Sequence, residues 1–457
     1  MTSISQIRRL ARQILDDTEV LTGHLEAQGI DAPSFNPDSV DVYSIPKDEP
    51  ASKARKDLVA STKELRDLAM GPKENLQMLG WESFNILSLH FVTFYNIASF
   101  VPFEGEISYE DLCAKVNSHN NNNNNNNNKN SCPAPSPSSN SPSPSSPPPV
   151  RLSILRRNLR HAILNNIFRE TRPGFVAHTR PSLLLATDTL MYSWSLYWTH
   201  YMWPVATNWA AALQRWPGSE DEKHTALAAW AGKEANLYDV LGRDAEMQRA
   251  FQAAVEATGT SEGYDIAFTV DGYPWDKLGE GTVVDLGGSQ GQASVAIASS
   301  FPSLKFVVQD LPGARLPSTA GKIPSRLSSR VSLTAHDFFS PQPVSADAYL
   351  LRFVLHSFPD GAGVDVLRAL IPSLENGARI IINDGVLPEA GARRDAAAEK
   401  ATRSMDVAMW LVMNAGERDL GDWKNLLRMA DERFVFSGAW RPEGATAWFI
   451  EAVWTTA

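Results

Sequence analysis

The sequence predicts an α/β protein in which a mainly helical N-terminal domain precedes a doubly wound, mostly parallel sheet. From about residue 280, short apolar runs such as GTVVDLGG and LKFVVQDL alternate with helical patterns, which is typical of a parallel sheet with helices on its faces. Before that point, apolar residues recur mainly at three- and four-residue spacing, which predicts helices. The last two runs, RFVFSGAW and TAWFIEAVW, predict an antiparallel pair that ends the sheet.

The N-terminal part contains a helix, helix, hairpin pattern. EGEISYEDLCAKV predicts a short helix with Ser108 at its N-cap and Asp111 three residues on, as in a capping box. RLSILRRNLRHAILNNIF predicts a second, amphipathic helix, and IFRETRPGFVAHT predicts a hairpin that turns at Arg-Pro-Gly. This order is typical of a winged helix.

A low-complexity segment interrupts the pattern between its two helices. Residues 117–149 are asparagine runs and Ser/Pro repeats, which bury too little apolar surface to offset the entropy of ordering, so we expect disorder there. The predicted domains are an N-terminal helical and winged-helix domain over 1–190, interrupted by the insertion at 117–149, a helical connector over 191–275, and the sheet domain over 276–457.

Composition and charge argue against several classes of protein. The 457 residues carry a net charge of −10 and a pI near 5.5, which argues against a nucleic-acid binder. The two cysteines, Cys113 and Cys132, cannot build a disulfide framework or a zinc cluster and fit a reducing compartment. No secretory signal is apparent, and no run approaches the roughly 18 apolar residues of a membrane span. We expect a cytoplasmic protein that binds neither nucleic acid nor membrane.

The stretch VVDLGGSQGQAS places Gly287, Gly288 and Gly291 between a predicted strand and a predicted helix. Such glycines allow close approach of a ligand, although an ordinary strand-to-helix turn also uses them. The spacing G-x-G-x-x-G fails in either frame, which disfavours a pyrophosphate. Asp310 ends the next strand, where a carboxylate can accept hydrogen bonds from a ribose. A nucleoside without a pyrophosphate indicates S-adenosylmethionine.

Asp337 and Phe338, in AHDFF, end the following strand and can contact an adenine, although a helix cap would be the favoured interpretation for Asp337 without the glycine loop and Asp310. VVDLGGSQG, QDLP, HDFF, LLRFVLHSF and NAGERDLGDW together occur in the order and approximate spacing of the class I S-adenosylmethionine-dependent O-methyltransferases. The chain resembles the caffeate-type plant and fungal branch, near the fungal secondary-metabolite enzymes, over nearly its whole length apart from the insertion. The resemblance implies a homodimer formed through the N-terminal domain, a connector that lines the acceptor pocket, and catalysis without a metal.

The resemblance also assigns roles to individual residues. It implies a general base at His356, flanked by the acids Asp384 and Glu417. The implied cofactor contacts comprise the glycine loop, the ribose acid, the adenine pair and an arginine in place of the plant lysine: Gly287, Gly288, Asp310, Asp337, Phe338 and Arg352.

His356 is a candidate base because a phenol resembling tyrosine has a pKa of about 10 and is little ionised near neutrality. A histidine within hydrogen-bond reach can take the proton, and a carboxylate on its other nitrogen fixes the tautomer. The alternative is a histidine that merely caps a strand end. LRFVLH predicts that His356 ends the fourth strand of the sheet, at the edge where ligands bind.

The predicted function is therefore methyl transfer from S-adenosylmethionine to a phenolic or enolic hydroxyl of a small aromatic or polyketide-type metabolite. Two alternatives remain open. The first is a cyclase or pericyclase that keeps the cofactor on the same fold. The second is a DNA-binding regulator, suggested by the winged helix and by a group of arginines: Arg151, Arg156, Arg157, Arg160 and Arg169.

Overall fold

The computed structural model describes residues 3–39, 50–127, 147–261, 263–311, 323–388 and 396–456. The chain divides into two compact units, each of which takes residues from more than one stretch of sequence. Unit 1 comprises Met1–Asn208, Leu227–Glu234 and Tyr238–Thr258; unit 2 comprises Trp209–Ala226, Ala235–Leu237 and Gly259–Ala457. The connector expected over 191–275 is shared between these two units.

Helices and short strands alternate in the first part of unit 1. They are α1 (Ser3–Ala27), α2 (Pro50–Phe94), β1 (Ile107–Ser108), α3 (Tyr109–Asn127), α4 (Leu152–Ile163), β2 (Arg169–Arg172) and β3 (Phe175–Ala177). Helix α2 is kinked at Gly71, whose φ of 74° is left-handed, and Pro72 follows it. Strand β3 pairs antiparallel with both β1 and β2. The predicted order of helix, helix and hairpin is therefore present.

The two sides of the predicted insertion lie together. The Asn117 side-chain amide donates to the Val150 carbonyl at 2.9 Å, and the Val150 amide donates to Asn117 Oδ1 at 2.8 Å. Helix α3 continues to Asn127, so it extends into the segment expected to be disordered. Residues 128–146 of that segment, including Cys132, lie outside the described residues, and disorder there stays a prediction.

The aromatic-rich stretch after the hairpin folds into a series of short helices. They are α5 (Arg180–Thr187), α6 (Thr189–Leu196), α7 (Trp203–Ala206), α8 (Trp209–Arg215), α9 (Ala226–Trp230), α10 (Leu237–Leu241) and α11 (Ala245–Gly259). Asp188 separates α5 from α6 because its carboxylate caps the amides of Leu190 and Met191. A π-helical turn over Tyr197–Met202 joins α6 to α7.

A seven-stranded sheet forms the centre of unit 2. Its strands are β4 (Thr282–Leu286), β5 (Lys305–Asp310), β6 (Val331–Ala335), β7 (Ala348–Arg352), β8 (Arg379–Asp384), β9 (Phe434–Trp440) and β10 (Trp448–Trp454). Their order is β6-β5-β4-β7-β8-β10-β9, with β10 antiparallel to both β8 and β9 and the other pairs parallel. The predicted doubly wound sheet with a terminal antiparallel pair is confirmed.

Further helices of unit 2 follow or separate these strands. They are α12 (Ala267–Asp271), α13 (Gln292–Ser300), α14 (Asp360–Leu370), α15 (Ala396–Met413) and α16 (Leu420–Ala430). Buried side chains such as Val283, Phe306 and Leu350 pack the sheet against Ile297 of α13, so the apolar strand runs are explained by burial. Within the described ranges, no helix has the length and apolar character needed to cross a membrane.

Candidate active site

The predicted site residues gather at one edge of the unit 2 sheet. The glycine loop follows β4, Asp310 ends β5, Arg352 ends β7 and Asp384 ends β8. The carboxyl ends of neighbouring parallel strands meet at the same edge. Successive strands are added on one side of β4 up to β6 and on its other side from β7, so the strand order reverses between β4 and β7. Ligands bind at such a crevice in doubly wound sheets.

Steric restrictions explain the glycines of the loop. Gly287 and Gly291 have φ values of 67° and 78°, in the left-handed region that favours glycine. A Cβ on Gly288 would lie 2.6 Å from the Asp285 carboxylate. The amides of Gly287 and Gly288 both donate to the Gln309 carbonyl, which draws the loop onto the end of β5. At Gly287, Gly288 and Gly291 the loop therefore presents only backbone.

Asp310 is well placed to receive further hydrogen bonds. Its Oδ2 accepts from the Ser289 amide at 2.8 Å and its Oδ1 accepts from the Leu311 amide at 2.7 Å. An ionised carboxylate has about four lone-pair sites, so each oxygen retains capacity for a ribose hydroxyl. The glycine loop and this acid fit the nucleoside part of S-adenosylmethionine.

Asp285 is a buried acid directly before the glycine loop that the sequence analysis did not single out. It is 1% exposed and accepts a hydrogen bond from Ser294 Oγ at 2.6 Å. Burial raises its pKa to about 6, while the nearby Arg352 guanidinium acts in the opposite direction. The signal was an acid within the otherwise apolar strand VVDL, directly before the glycines.

Phe338 lies beside the glycine loop. A Cβ on Gly287 would lie 3.5 Å from the Phe338 ring, and Phe338 meets Phe358 edge to face at 5.7 Å. Phe358 is buried and also packs edge to face on Phe339. Asp337 Oδ1 accepts from the Phe339 amide at 3.0 Å within a turn. No helix lies between β6 and β7, a stretch that the structure describes throughout, so the helix cap considered for Asp337 is not present.

Arg352 lies along the same edge with a largely buried guanidinium. Its Nε donates to Thr269 Oγ1 at 3.1 Å and its Nη2 donates to the Tyr264 carbonyl at 3.4 Å. Burial lowers its pKa, whereas the carboxylates of Asp285 and Asp384 favour its charged form. Two of the Arg352 N–H groups therefore donate to other groups of the protein.

The prediction that His356 ends the fourth strand is wrong. Strand β7 stops at Arg352, and His356 lies in a 3-10 turn over Leu355–Ser357. The reason is Phe353, whose φ of 51° is left-handed and cannot continue a strand. The turn carries the imidazole beyond the strand end while keeping it at the ligand-binding edge.

Both predicted acids contact His356. Glu417 Oε1 lies 2.9 Å from His356 Nδ1, and Asp384 Oδ2 accepts the His356 backbone amide at 3.1 Å. The other oxygen of Asp384, Oδ1, lies 4.0 Å from His356 Nδ1. Because Nδ1 is occupied by Glu417, Nε2 is the ring nitrogen that remains for a ligand.

The two carboxylates determine the charge of the imidazole. Burial by itself lowers the pKa of His356, but the Asp384 charge and the Glu417 hydrogen bond outweigh it and raise the pKa to about 9. Burial also raises the pKa of Asp384 to about 6, against the attraction of His356. The resting site therefore favours an imidazolium between two acids.

The same three side chains have donor atoms within 4.8 Å of one another, a separation that a metal ion could use. Among the described residues, Glu417 Oε2 is a buried oxygen without a hydrogen-bond partner. His356 Nδ1 and Glu417 Oε1 already bind each other, however. Catalysis without a metal stays a prediction.

Comparison with known proteins assigns the chain to a family. Residues 223–431 match the O-methyltransferase domain family. Chlorophenol O-methyltransferase of Trichoderma longibrachiatum is 34% identical, over 98% of this chain and 90% of that protein.

Solved structures share the fold. The crystal structure of OxaC in complex with sinefungin and meleagrin matches with a TM-score of 0.70 and 18% identity, over 98% of this chain and 99% of that one. A structure described as a pericyclic reaction enzyme matches with a TM-score of 0.67 and 18% identity, over 88% of this chain and 94% of that one. These likenesses agree with the class I methyltransferase order of the sheet. The chain belongs to the S-adenosylmethionine-dependent O-methyltransferases.

Proposed function

We propose that His356 is the general base for methyl transfer from S-adenosylmethionine to a phenolic or enolic hydroxyl. The observation that carries this proposal is the orientation of the imidazole, whose Nδ1 is held by Glu417 while Nε2 remains for the acceptor. Asp384 supports the same turn through the His356 backbone amide.

The cofactor supplies a methyl group that is already activated on a sulfonium. The residues of this chain must orient the acceptor oxygen and remove its proton. His356 Nε2 takes that proton, and Glu417 stabilises the imidazolium that results. A general base of this kind contributes roughly 10²–10⁴-fold to the rate.

The raised pKa of His356 limits the free enzyme near neutrality. With a pKa of about 9, only about one imidazole in a hundred is neutral at pH 7. A cation brought next to the imidazole disfavours its protonated form. Cofactor binding is therefore expected to lower this pKa and to prepare the base for the acceptor.

The proposed cofactor contacts follow the sheet edge. Gly287 and Gly288 give the backbone its close approach, and Asp310 receives the ribose hydroxyls. Asp337 and Phe338 take the adenine end, supported by the aromatic packing around Phe338. Arg352 meets the cofactor through N–H groups that Thr269 and Tyr264 leave available, since a guanidinium has five donors.

The proposed acceptor is a small aromatic or polyketide-type molecule. Helix α15 carries the side chains expected to wall its pocket: Met405, Met409, Trp410 and Met413. Trp410 and Val407 are exposed on that helix, so an apolar face is available to a flat ligand. The chlorophenol specificity named for the relative from Trichoderma longibrachiatum supports an aromatic hydroxyl.

We also propose a homodimer formed through the N-terminal domain, whose helix, helix, hairpin order fits a winged helix. Large apolar side chains are exposed along the second half of α2: Leu76, Leu79, Trp81, Phe84 and Leu87. An apolar surface of this kind marks an interaction site in soluble proteins. Sedimentation of the wild type and of Leu79→Ser with Trp81→Ser tests it; a monomeric wild type contradicts the dimer.

The function is tested by incubating the purified protein with S-adenosylmethionine and a panel of chlorinated and alkylated phenols. We expect stoichiometric S-adenosylhomocysteine and a methyl ether, both measured by mass spectrometry. Methylation at nitrogen or carbon alone would contradict an O-methyltransferase. Full activity in His356→Ala would contradict the base without affecting the reaction assigned.

The likeness to a pericyclic reaction enzyme keeps a second candidate function, cyclisation with the cofactor retained. That reaction leaves the methyl group on the cofactor. Formation of a rearranged product without S-adenosylhomocysteine would therefore support it. The 34% identity with a curated O-methyltransferase, against 18% with the pericyclic enzyme, favours methyl transfer.

The DNA-binding alternative is weakened by how the arginines are used. Arg156 pairs with Glu110 at 2.7 Å and Arg160 pairs with Glu170 at 2.9 Å, so part of the basic surface is neutralised. Salt-sensitive binding of duplex DNA at micromolar protein would restore it. The cytoplasmic location likewise stays a prediction.

A further inference from the structure

Arg418 follows Glu417 directly and is 4% exposed. Its guanidinium donates at 2.8 Å to three acceptors: the Leu355 carbonyl from Nη1, the Phe358 carbonyl from Nη2 and Asp360 Oδ1 from Nε. The two carbonyls belong to the residues that bracket His356 and Ser357. A single side chain therefore closes the histidine turn from both of its ends.

The contacts on either side of the turn have different consequences. Leu355 immediately precedes His356, so its carbonyl sets the direction from which the imidazole leaves the backbone. Phe358 carries the ring that packs on Phe338 and Phe339. Fixing both carbonyls therefore fixes the base and the aromatic cluster beside the glycine loop relative to each other.

Arg418 is also linked to the second acid. Its guanidinium lies 5.1 Å from the centre of the Trp423 ring, and Trp423 Nε1 donates to the Gly385 carbonyl at 3.0 Å. The Gly385 amide in turn donates to Asp384 Oδ1 at 2.9 Å. The buried Arg418 is thus linked through Trp423 and Gly385 to Asp384, which accepts the His356 backbone amide, and it is adjacent in sequence to Glu417, which contacts the imidazole ring.

We propose that Arg418 is a positioning residue. It holds the 355–358 turn so that the His356 imidazole faces the acceptor hydroxyl while Phe358 packs against Phe338 beside the cofactor. This inference rests on His356 acting as the base. A planar fork with separate donors reaches three acceptors at once, whereas a lysine ammonium on a flexible stem does not hold the same directions. The turn should therefore depend on the shape of Arg418 as well as on its charge.

The experiment compares Arg418→Lys and Arg418→Gln with Arg368→Gln. Arg368 is a matched control in the same unit, because its guanidinium also donates to two backbone carbonyls, those of Met429 and Ala430. For each variant, kcat, KM for cofactor and acceptor, melting temperature and the pH profile of kcat/KM are measured on folded protein.

We expect Arg418→Lys to lower kcat about 10- to 100-fold, because small displacements of a catalytic group cost that much. In Arg418→Gln the acidic limb should also move to higher pH, since the Arg418 charge opposes protonation of His356. Arg368→Gln should lower the melting temperature but leave kcat and the pH profile unchanged. If both Arg418 variants match Arg368→Gln in kcat and pH profile, the inference is wrong; if Arg418→Gln fails to fold, Arg418→Lys decides.

The His356→Ala variant distinguishes failure of the Arg418 proposal from failure of the proposal that His356 is the general base. If His356→Ala abolishes transfer while Arg418→Lys is fully active, the base is correct and Arg418 has no positioning role. If His356→Ala is active, the base assignment itself has failed.

Discussion

Two partly buried histidines, one in each unit, have pKa values shifted in opposite directions. In unit 2, His356 is bonded to Glu417 and its pKa is raised to about 9. In unit 1, His90 Nε2 lies 3.0 Å from His200 Nδ1, and burial followed by the neighbouring imidazole lowers the pKa of His90 to about 4.

The comparison separates the effect of burial from the effect of partners. Burial disfavours a charged imidazole in both places. Only at His356 does a carboxylate touch the ring, and a second one holds the backbone, which reverses the outcome. His90 packs instead among Phe94, His200 and Trp203, where a neutral ring is favoured. A histidine becomes a candidate base here because of its acids.

The largest expected effect separates the two sites by function. His356→Ala should reduce kcat by roughly 10²–10⁴-fold, because it removes the proton acceptor while leaving the glycine loop intact. Cofactor affinity, measured by calorimetry, should stay near that of the wild type. The control, His90→Ala, should leave kcat within a few fold of the wild-type value. Loss of cofactor binding in His356→Ala would show that His356 has a structural role.

The next effect tests whether carboxylates set the pKa at His356. Asp384→Asn removes a negative charge that raises the pKa of His356, so the acidic limb of the kcat/KM profile should move to lower pH. An amide oxygen can still accept the His356 backbone amide, which preserves the turn. An unchanged limb in a folded variant would show that Asp384 does not control this titration.

A smaller effect concerns stability, with opposite signs at the two sites. The pKa of folded His356 lies above its unfolded value of 6.5, so its stabilisation is complete below pH 6.5 and is lost as pH rises through about 9. The pKa of folded His90 is depressed, so its contribution is present above pH 6.5 and is lost as pH falls through about 4.

Melting temperatures of His356→Gln and His90→Gln across pH 4–10 check these signs. The first variant should lack part of the alkaline decline and the second part of the acidic decline. If both variants change the same side of the profile, the contrast between the sites fails.

The smallest effect is expected from removing residues 128–146. Asn117 and Val150 already join the two sides of this segment by reciprocal hydrogen bonds, so its removal should disturb neither histidine site. Activity and melting temperature should match the wild type, with Asn117→Ala as the variant that weakens the junction itself. A deletion that fails to fold would show that the segment has a structural role.

The sequence by itself determined the elements that depend on local pattern. Apolar strands alternating with helices predicted the parallel sheet, and glycines 287 and 288 with Asp310 predicted the nucleoside side of the site. Motif order placed His356 with Asp384 and Glu417, which the structure brings into contact. The sheet and the glycine loop could be predicted because burial period, left-handed turns and strand ends leave signatures within a few residues, whereas the grouping of His356 with its two acids was implied by the resemblance to a family.

Only the tertiary structure decided how those groups interact. Phe353 ends β7 early through a left-handed φ, so His356 lies in a turn and not on the strand. The three contacts of Arg418 depend on partners far along the chain, at Leu355, Phe358 and Asp360. The pKa of His356 likewise follows from distances to two carboxylates, since electrostatic and hydrogen-bond energies depend on separation in space, which residue spacing in one sequence does not specify.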